Sequence, residues 1–246
     1  MASPPSSAVA GAAVSAVALA NVVAGLVRGL PLPTGTAQSS LSTCRRIASI
    51  AAPRLFVLAD VAAIAAELIV TVQAAARDAD PADASAGLYD AAAATRACVP
   101  SSASPVLTQA YSLARGLCVG VEAACLGEAF LCEARTEFGD RQAASAARDR
   151  ITTALEGAID RVAAALGQPA AFVLTTSANQ TCAHLVDLSG NLQPLIRAQA
   201  GRSFPSTALA WSLYADPSRA PELVARNRVG TPFHMPASFE ALAPKA

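Results

Sequence analysis

The sequence predicts a mainly α protein, an Ala-rich multi-helix bundle closed by a small C-terminal α+β module. Three observations carry this. Alanine is about a quarter of the 246 residues, while aromatics are 4% and charged residues 15%. Alanine loses no side-chain entropy in a helix, and so few aromatics leave little to fill a thick β core. Apolar residues recur at three and four, and no convincing β-alternation precedes residue 236. The same composition excludes intrinsic disorder, which needs low hydrophobicity and high net charge. Eighteen Lys+Arg against eighteen Asp+Glu leave no global basic excess for nucleic acid.

Three regions follow from the breakers: Ala-rich N-terminal helices over 1–104 as an assembly contact region, a central helical bundle over 105–200, and a terminal module over 201–246. The first block, Ser7 to Leu30, is uncharged before Arg28 and stops at a Leu-Pro-Leu-Pro run. Such a run reads as a buried or subunit-packing helix, or as membrane contact. Its Ala, Gly, Ser and Val carry little insertion drive, and it lacks a basic start. The second block opens after Ser39, Ser40 and Ser42, which offer N-caps, and runs to about Ala79. Pro53 fits it only as a first-turn residue or a kink, and Asp60 and Glu67 argue against a span.

The Asp/Pro/Ala run 78–84 predicts a turn, Asp83 to Cys98 a shorter helix, and 99–105 a break. From Val106 to about Thr136, the residues Leu107, Tyr111, Ala114, Cys118, Val121, Cys125 and Cys132 form one apolar stripe. Glu122, Glu128, Glu133 and Glu137 read as a solvated face with Arg115 and Arg135. Gly139-Asp140 ends this helix and caps the next, Arg141 to Leu166. There Ala147, Ile151, Leu155, Ile159, Val162 and Leu166 oppose Arg148, Asp149, Arg150, Glu156, Asp160 and Arg161. Gly167 and Pro169 close it, and a helix follows from Ala170 to Leu188. After Ser189-Gly190-Asn191 and Pro194, a last turn runs to Ala200.

Little in the chain speaks for catalysis. Phosphate-binding glycine loops, HExxH, GxSxG and CxxC are absent. His184 and His234 have no sequence partner, no cleft for paired carboxylates is evident, and no cofactor or metal is expected. Cysteine stands out. Cys118, Cys125 and Cys132 are spaced by seven, so they share one helix stripe with a drift of roughly 20° per step. Neighbours on the stripe lie about 10.5 Å apart along the axis, too far to bridge each other. Two readings stay open. In one, they pair with Cys44, Cys98 and Cys182 or with another subunit; in the other, they are small buried hydrophobes. Spacing by seven does not suit a tetrahedral zinc site.

The last forty or so residues carry the most specific pattern, Ser203 to Ala246: SFPSTALAWSLYADPSRAPELVARNRVGTPFHMPASFEALAPKA. Ser206 is placed to cap a helix bearing Leu209, Trp211, Leu213 and Tyr214, and Asp216-Pro217-Ser218 turns it. Pro221 opens a second helix whose Leu223 and Val224 face the first, and Asn227 suits a left-handed cap. Trp211 and Tyr214 are expected in the module's small aromatic core, and a Pro-bounded extended stretch with Phe233 ends the chain.

This end resembles the C-terminal region of the Mu-type phage DNA circularisation protein family of tail and baseplate proteins. The matching residues are Leu209, Ala210, Leu213, Tyr214 and Asp216, then Glu222 to Asn227, then Pro232, Phe233 and Pro236. The pattern is also similar to LysM-like modules, in which a helix pair packs on a small sheet. Residues 136–160 resemble the family's preceding amphipathic helix more loosely. Thr231 stands where the family has His before Pro, and His234 lies past Phe233.

What the resemblance implies is a non-enzymatic structural subunit of a contractile tail, in the inner baseplate near the hub or tube end. Its partners would be other tail and baseplate subunits, in several symmetric copies, within the virion after synthesis in the host cytoplasm. Leu209, Trp211, Leu213, Tyr214, Leu223, Val224, Asn227 and Phe233 would then serve as module core or partner contact. No specific nucleic acid is expected. A peptidoglycan-binding module and a membrane-associated tail protein are the alternatives.

Overall fold

A computed structural model describes residues 6–244. The protein is mainly helical, with 76% helix and one two-stranded sheet. The chain divides into two compact units. Unit 1 runs to Thr136 and adds Asp149–His184; unit 2 is Glu137–Arg148 with Leu185 onward.

Unit 1 begins with α1 (Ser6–Gly29), then α2 (Thr34–Arg46), α3 (Leu58–Asp78), α4 (Pro81–Thr95), α5 (Pro105–Ala110) and α6 (Ser112–Arg135). The second block of the sequence is therefore two helices. A π turn (Ile47–Ala51) and a 3-10 turn (Ala52–Arg54) holding Pro53 end α2, and Leu55–Val57 leaves the helical path. Ser39, Ser40 and Ser42 lie inside α2, not at its start, because Pro33 already fills the N-cap position. At α3 the cap is supplied from within: Asp60 accepts hydrogen bonds from the Phe56 and Val57 amides at 2.9 and 3.0 Å. Asp80 does the same work for α4, accepting from Ala82 N at 3.0 Å.

Helix α6 packs against α1, α3 and α4, and it is buried on nearly every side, not along one stripe. Leu117, Val119, Leu126, Ala129 and Phe130 are enclosed alongside Cys118, Cys125 and Cys132. A helix enclosed in this way needs thin neighbours. In α1 the covering residues are Ala8, Ala12, Ala16 and Ala20 among larger Leu19 and Val23. Gly11 is required where it stands, since a Cβ there would lie 2.7 Å from Tyr111 Cδ1. Helices α1 and α3 are long and apolar enough to cross a bilayer by length and composition. About half of the qualifying stretch of α1 is nevertheless buried within the protein.

The predicted helix over 141–166 is broken at Gly157-Ala158 into α7 (Arg141–Glu156) and α8 (Ile159–Leu166). Asp140 caps α7 as expected, accepting from Ala143 N at 2.8 Å. Gly167, at φ 88° and ψ 168°, takes a positive-φ extended conformation open chiefly to glycine, and this ends α8 before α9 (Gln168–Asn191). Helix α9 runs on through Ser189-Gly190.

Unit 2 holds β1 (Leu195–Gln199), α10 (Ser206–Tyr214), a 3-10 turn (Pro217–Arg219), α11 (Ala220–Arg226) and β2 (Ser238–Leu242). The expected turn to Ala200 is thus a strand. It pairs antiparallel with β2, Leu195 opposite Leu242 and Gln199 opposite Ser238. The first turn of α7 positions it: Gln142 Nε2 donates to Leu195 O at 3.0 Å, and Leu195 N donates to Gln142 Oε1 at 2.7 Å. Arg141 donates to Ser189 O and Leu192 O, satisfying carbonyls at the C-terminal end of α9. The core beneath the sheet is Leu209, Ala210, Ala220, Leu223, Met235, Phe239 and Ala241.

Candidate functional site

Unit 2 carries the residues on which the family resemblance rests, and most of them are committed to holding the unit together. Leu209 and Leu223 are core, and Leu213, Tyr214 and Val224 pack against that core. Asn227 does not adopt the left-handed cap; Arg228 does, at φ 51°. Asn227 instead bridges helix and sheet. Its Nδ2 donates to Leu223 O at 2.9 Å and Glu240 O at 2.8 Å, while its Oδ1 accepts from Glu240 N at 2.8 Å. These bonds use both N–H donors of the amide and engage its oxygen. Arg226 pairs with Asp140 at 2.9 Å, and Arg219 with Glu222 at 2.8 Å. Ser206 is not a cap: Pro205 holds that position, and the Ser206 hydroxyl is buried without a partner among the described residues.

Trp211, expected in the core, faces outward, and so does Phe233, expected as module core or partner contact. Trp211 is 62% exposed and Phe233 69% exposed. Trp211 lies on the far side of a nine-residue helix whose inner side is taken by Leu209, Ala210 and Leu213, so its bulk has nowhere to go but outward. It borders a recess of about 740 Å³ lined by Gln193, Leu213, Tyr214, Asp216, Arg219 and Pro244, among others. The Arg219 guanidinium stacks 3.7 Å above the centroid of the Tyr214 ring. Burial pushes the Tyr214 phenol above its ordinary range, and nearby Glu222 adds to this. The Leu242 amide approaches the phenol oxygen without reaching bonding geometry. Gln193 Nε2 is likewise buried and unpaired among the described residues. Asp216 is held below the usual carboxylate range by the Ser218 hydroxyl and amide, at 2.6 and 2.9 Å. An exposed indole, a stacked cation and unpaired planar amide and phenol groups form a recess suited to a polar ligand with a flat apolar face.

Unit 1 places the cysteines differently from the bridged reading. All six are free thiols. Cys118, Cys125 and Cys132 are sealed inside unit 1, at 1% exposure or less, so their sulfurs reach no second chain. Cys44 and Cys98 are also buried, and Cys182 is half-buried. Desolvation pushes the Cys118 and Cys125 thiols up to about 12, which keeps both protonated and unreactive at neutral pH. The Cys132 thiol is raised by burial as well, although Arg135 donates to its sulfur at 3.2 Å and partly opposes the shift.

Of the four carboxylates read as a solvated face, Glu137 is exposed and Glu128 half-buried, but the other two are enclosed. Glu122 and Glu133 are each 1% exposed. Glu133 meets Arg150 in a two-pronged pair at 2.9 and 3.0 Å. Glu122 is held by Arg161 at 2.6 Å and by Arg96 at 2.9 Å. The residues Glu122 and Glu133 are eleven apart, as are Arg150 and Arg161. Eleven residues are close to three whole turns, so Glu122 and Glu133 lie on one face of α6, and they meet Arg161 of α8 and Arg150 of α7 in antiparallel order. That matched spacing is the signal that sequence reading passed over. Gln193 and Arg219 were also missed, and neither belongs to a repeating pattern that would single it out.

His184 and His234 lie in different units. No group of three or more metal-ligating side chains occurs among the described residues. No family model matches the chain, and no curated protein matches it.

Proposed function

We propose that this chain is a structural subunit of a phage contractile tail, an inner baseplate component near the hub or tube end that holds neighbouring subunits in place. The observation that carries the reading is the use made of the family-like residues. Leu209, Leu213, Tyr214, Leu223, Val224, Arg226 and Asn227 build a strand–helix–helix–strand unit and are spent on packing or internal bonds. Residues spent on packing and internal bonds are left little part in reaction chemistry, which supports a docking role. We take the unit as LysM-like, since a helix pair on a small antiparallel sheet is the arrangement such modules have. Trp211 and Phe233 are left on its surface for neighbours. Electron cryomicroscopy of purified tails with antibody labelling of this chain tests the reading. Several symmetric copies at the baseplate are expected; tails that lack the chain overturn it.

The recess beside Trp211 favours a second reading, a module that binds cell-wall glycan. Sugar rings stack on exposed aromatics, and their hydroxyls suit the unpaired Gln193 amide and Tyr214 phenol. A pull-down on purified peptidoglycan separates the two. Retention of the native chain and loss by Trp211→Ala support the glycan reading, and no retention removes it.

A further inference from the structure

The formal charge of zero conceals a division along the chain. The first 59 residues contain four arginines, Arg28, Arg45, Arg46 and Arg54, and no Asp or Glu. The other 187 residues hold the remaining 14 Lys+Arg against all 18 Asp+Glu. Three of the four arginines flank one place, the joint between α2 and α3. There Leu55 turns inward and is buried, while Phe56, Val57 and Leu58 turn outward at 75%, 48% and 54% exposure. Ile50, in the π turn just before, is also about half exposed. Arg46 pairs with Glu67, whereas Arg45 and Arg54 are exposed and form no ion pair among the described residues.

We propose that this joint is a lipid-binding tip, in which Phe56, Val57 and Leu58 enter the interface of an anionic bilayer while Arg45 and Arg54 bind its acidic headgroups. The inference goes beyond the structural role and does not depend on it. Three features favour a bilayer over a protein groove. The tip is a short run of large apolar side chains ringed by cations, the pattern that suits an apolar interior beneath a negative surface. Much of its polar backbone is already engaged. The Phe56 and Val57 amides donate to Asp60, the Leu55 amide to Ala52 O, and Val57 O accepts from Asp60 N. Each amide engaged in this way is one donor fewer to oppose insertion into a poorly hydrated layer. Asp60 and Glu67 are the acidic groups bonded at this joint; the first is engaged by two amides and the second by Arg46.

Insertion of α1 as a span is the competing membrane mode, and packing disfavours it. Ala12, Ala16, Leu19 and Val23 are fully buried, with α1 against α6, so a span would first have to dismantle unit 1. The tip needs no rearrangement.

Vesicle flotation of the full chain tests this, with phosphatidylglycerol-containing vesicles set against pure phosphatidylcholine. The native chain is expected to float with the anionic vesicles and to be released by high salt. Phe56→Ser with Leu58→Ser should weaken partition more than tenfold, since both apolar groups leave the interface. Arg45→Gln and Arg54→Gln should each weaken it about fivefold on anionic vesicles alone. Circular dichroism should show every variant folded, because each altered side chain is exposed. No flotation of the native chain overturns the proposal, as does flotation unchanged by the Phe56/Leu58 substitutions. Retention after alkaline carbonate extraction would indicate a span and overturn it. So would a native oligomer that the tip substitutions dissolve while no vesicle binding is seen.

Discussion

The two units solve the problem of holding helices together in opposite ways. Unit 1 wraps thin Ala-rich helices around α6 and seals two carboxylates inside with arginines that reach in from the surface. Unit 2 has a small apolar core and secures it with hydrogen bonds, of which Asn227 to Glu240 and Gln142 to Leu195 are the clearest. The difference teaches where each is vulnerable. Unit 1 depends on every buried charge keeping its partner, because a lone buried carboxylate is costly. Unit 2 depends on each large side chain, because a small core has few others to share the loss.

The largest expected effect comes from uncovering Glu133. Arg150 is its single ion-pair partner among the described residues, whereas Glu122 has two. Arg150→Met should therefore cost about 3–5 kcal/mol, the range for breaking a buried pair. Arg96→Met or Arg161→Met should cost less, since each leaves Glu122 one guanidinium. Urea unfolding of the three variants ranks them, and equal losses would mean that the second arginine on Glu122 contributes nothing. Removing a carboxylate instead releases arginines that are already about half exposed. Next comes Leu223→Ala, fully buried in unit 2, at about 2–5 kcal/mol. Asn227→Ala should cost about 1–3 kcal/mol, chiefly from the Glu240 amide and carbonyl left without their partner. Hydrogen exchange at the Glu240 amide is the local readout.

Unit 1 also stores a pH dependence in its buried thiols. The Cys118 and Cys125 thiols stay protonated to about 12 when folded, against an ordinary value of 9.0. Between those values the unfolded chain has lost these protons and the folded chain has kept them, so stability falls as pH rises. The slope is about 1.4 kcal/mol per pH unit for each thiol at most. Below pH 9 the contribution is whole. Thermal unfolding measured from pH 8 to pH 11 should show this decline, and Cys118→Ala with Cys125→Ala should flatten it. An equally steep decline in the double variant would assign alkaline sensitivity elsewhere.

How far the sequence foretold this division differs by unit. Helix α1, the break before α5 and the Asp140 cap were legible because charge, proline and spacing are local signals. Strand β1 was not, since five residues reading Leu-Ile-Arg-Ala-Gln carry no lasting alternation, and their pairing partners lie 39 to 47 residues away. The buried ladder of Glu122 and Glu133 was misread as surface because charge alone does not say which way a helix faces. α6 is enclosed on nearly all sides, which spacing within one helix does not reveal. Trp211 was misplaced for the converse reason: an aromatic in a short helix suggests core, but Leu209, Ala210 and Leu213 already fill that side.

Trp211 gives the smallest stability effect and the sharpest separation of fold from function. At 62% exposure it contributes little apolar burial, so Trp211→Ala should change unfolding free energy by no more than about 0.5 kcal/mol. Leu213→Ala, on the core side of the same helix, serves as the control and should be clearly destabilising. If the two losses prove equal, the indole is part of the core and the recess beside it is not a surface for ligands. If Trp211→Ala is neutral, any loss of tail incorporation or glycan retention in that variant belongs to recognition, because the module that presents the indole is intact. Leu209, Ala210, Leu213 and Tyr214 already seat this helix on the core without the indole. A large indole kept in water beside an unpaired amide is therefore not spent on folding unit 2, which leaves Trp211→Ala free to test recognition alone.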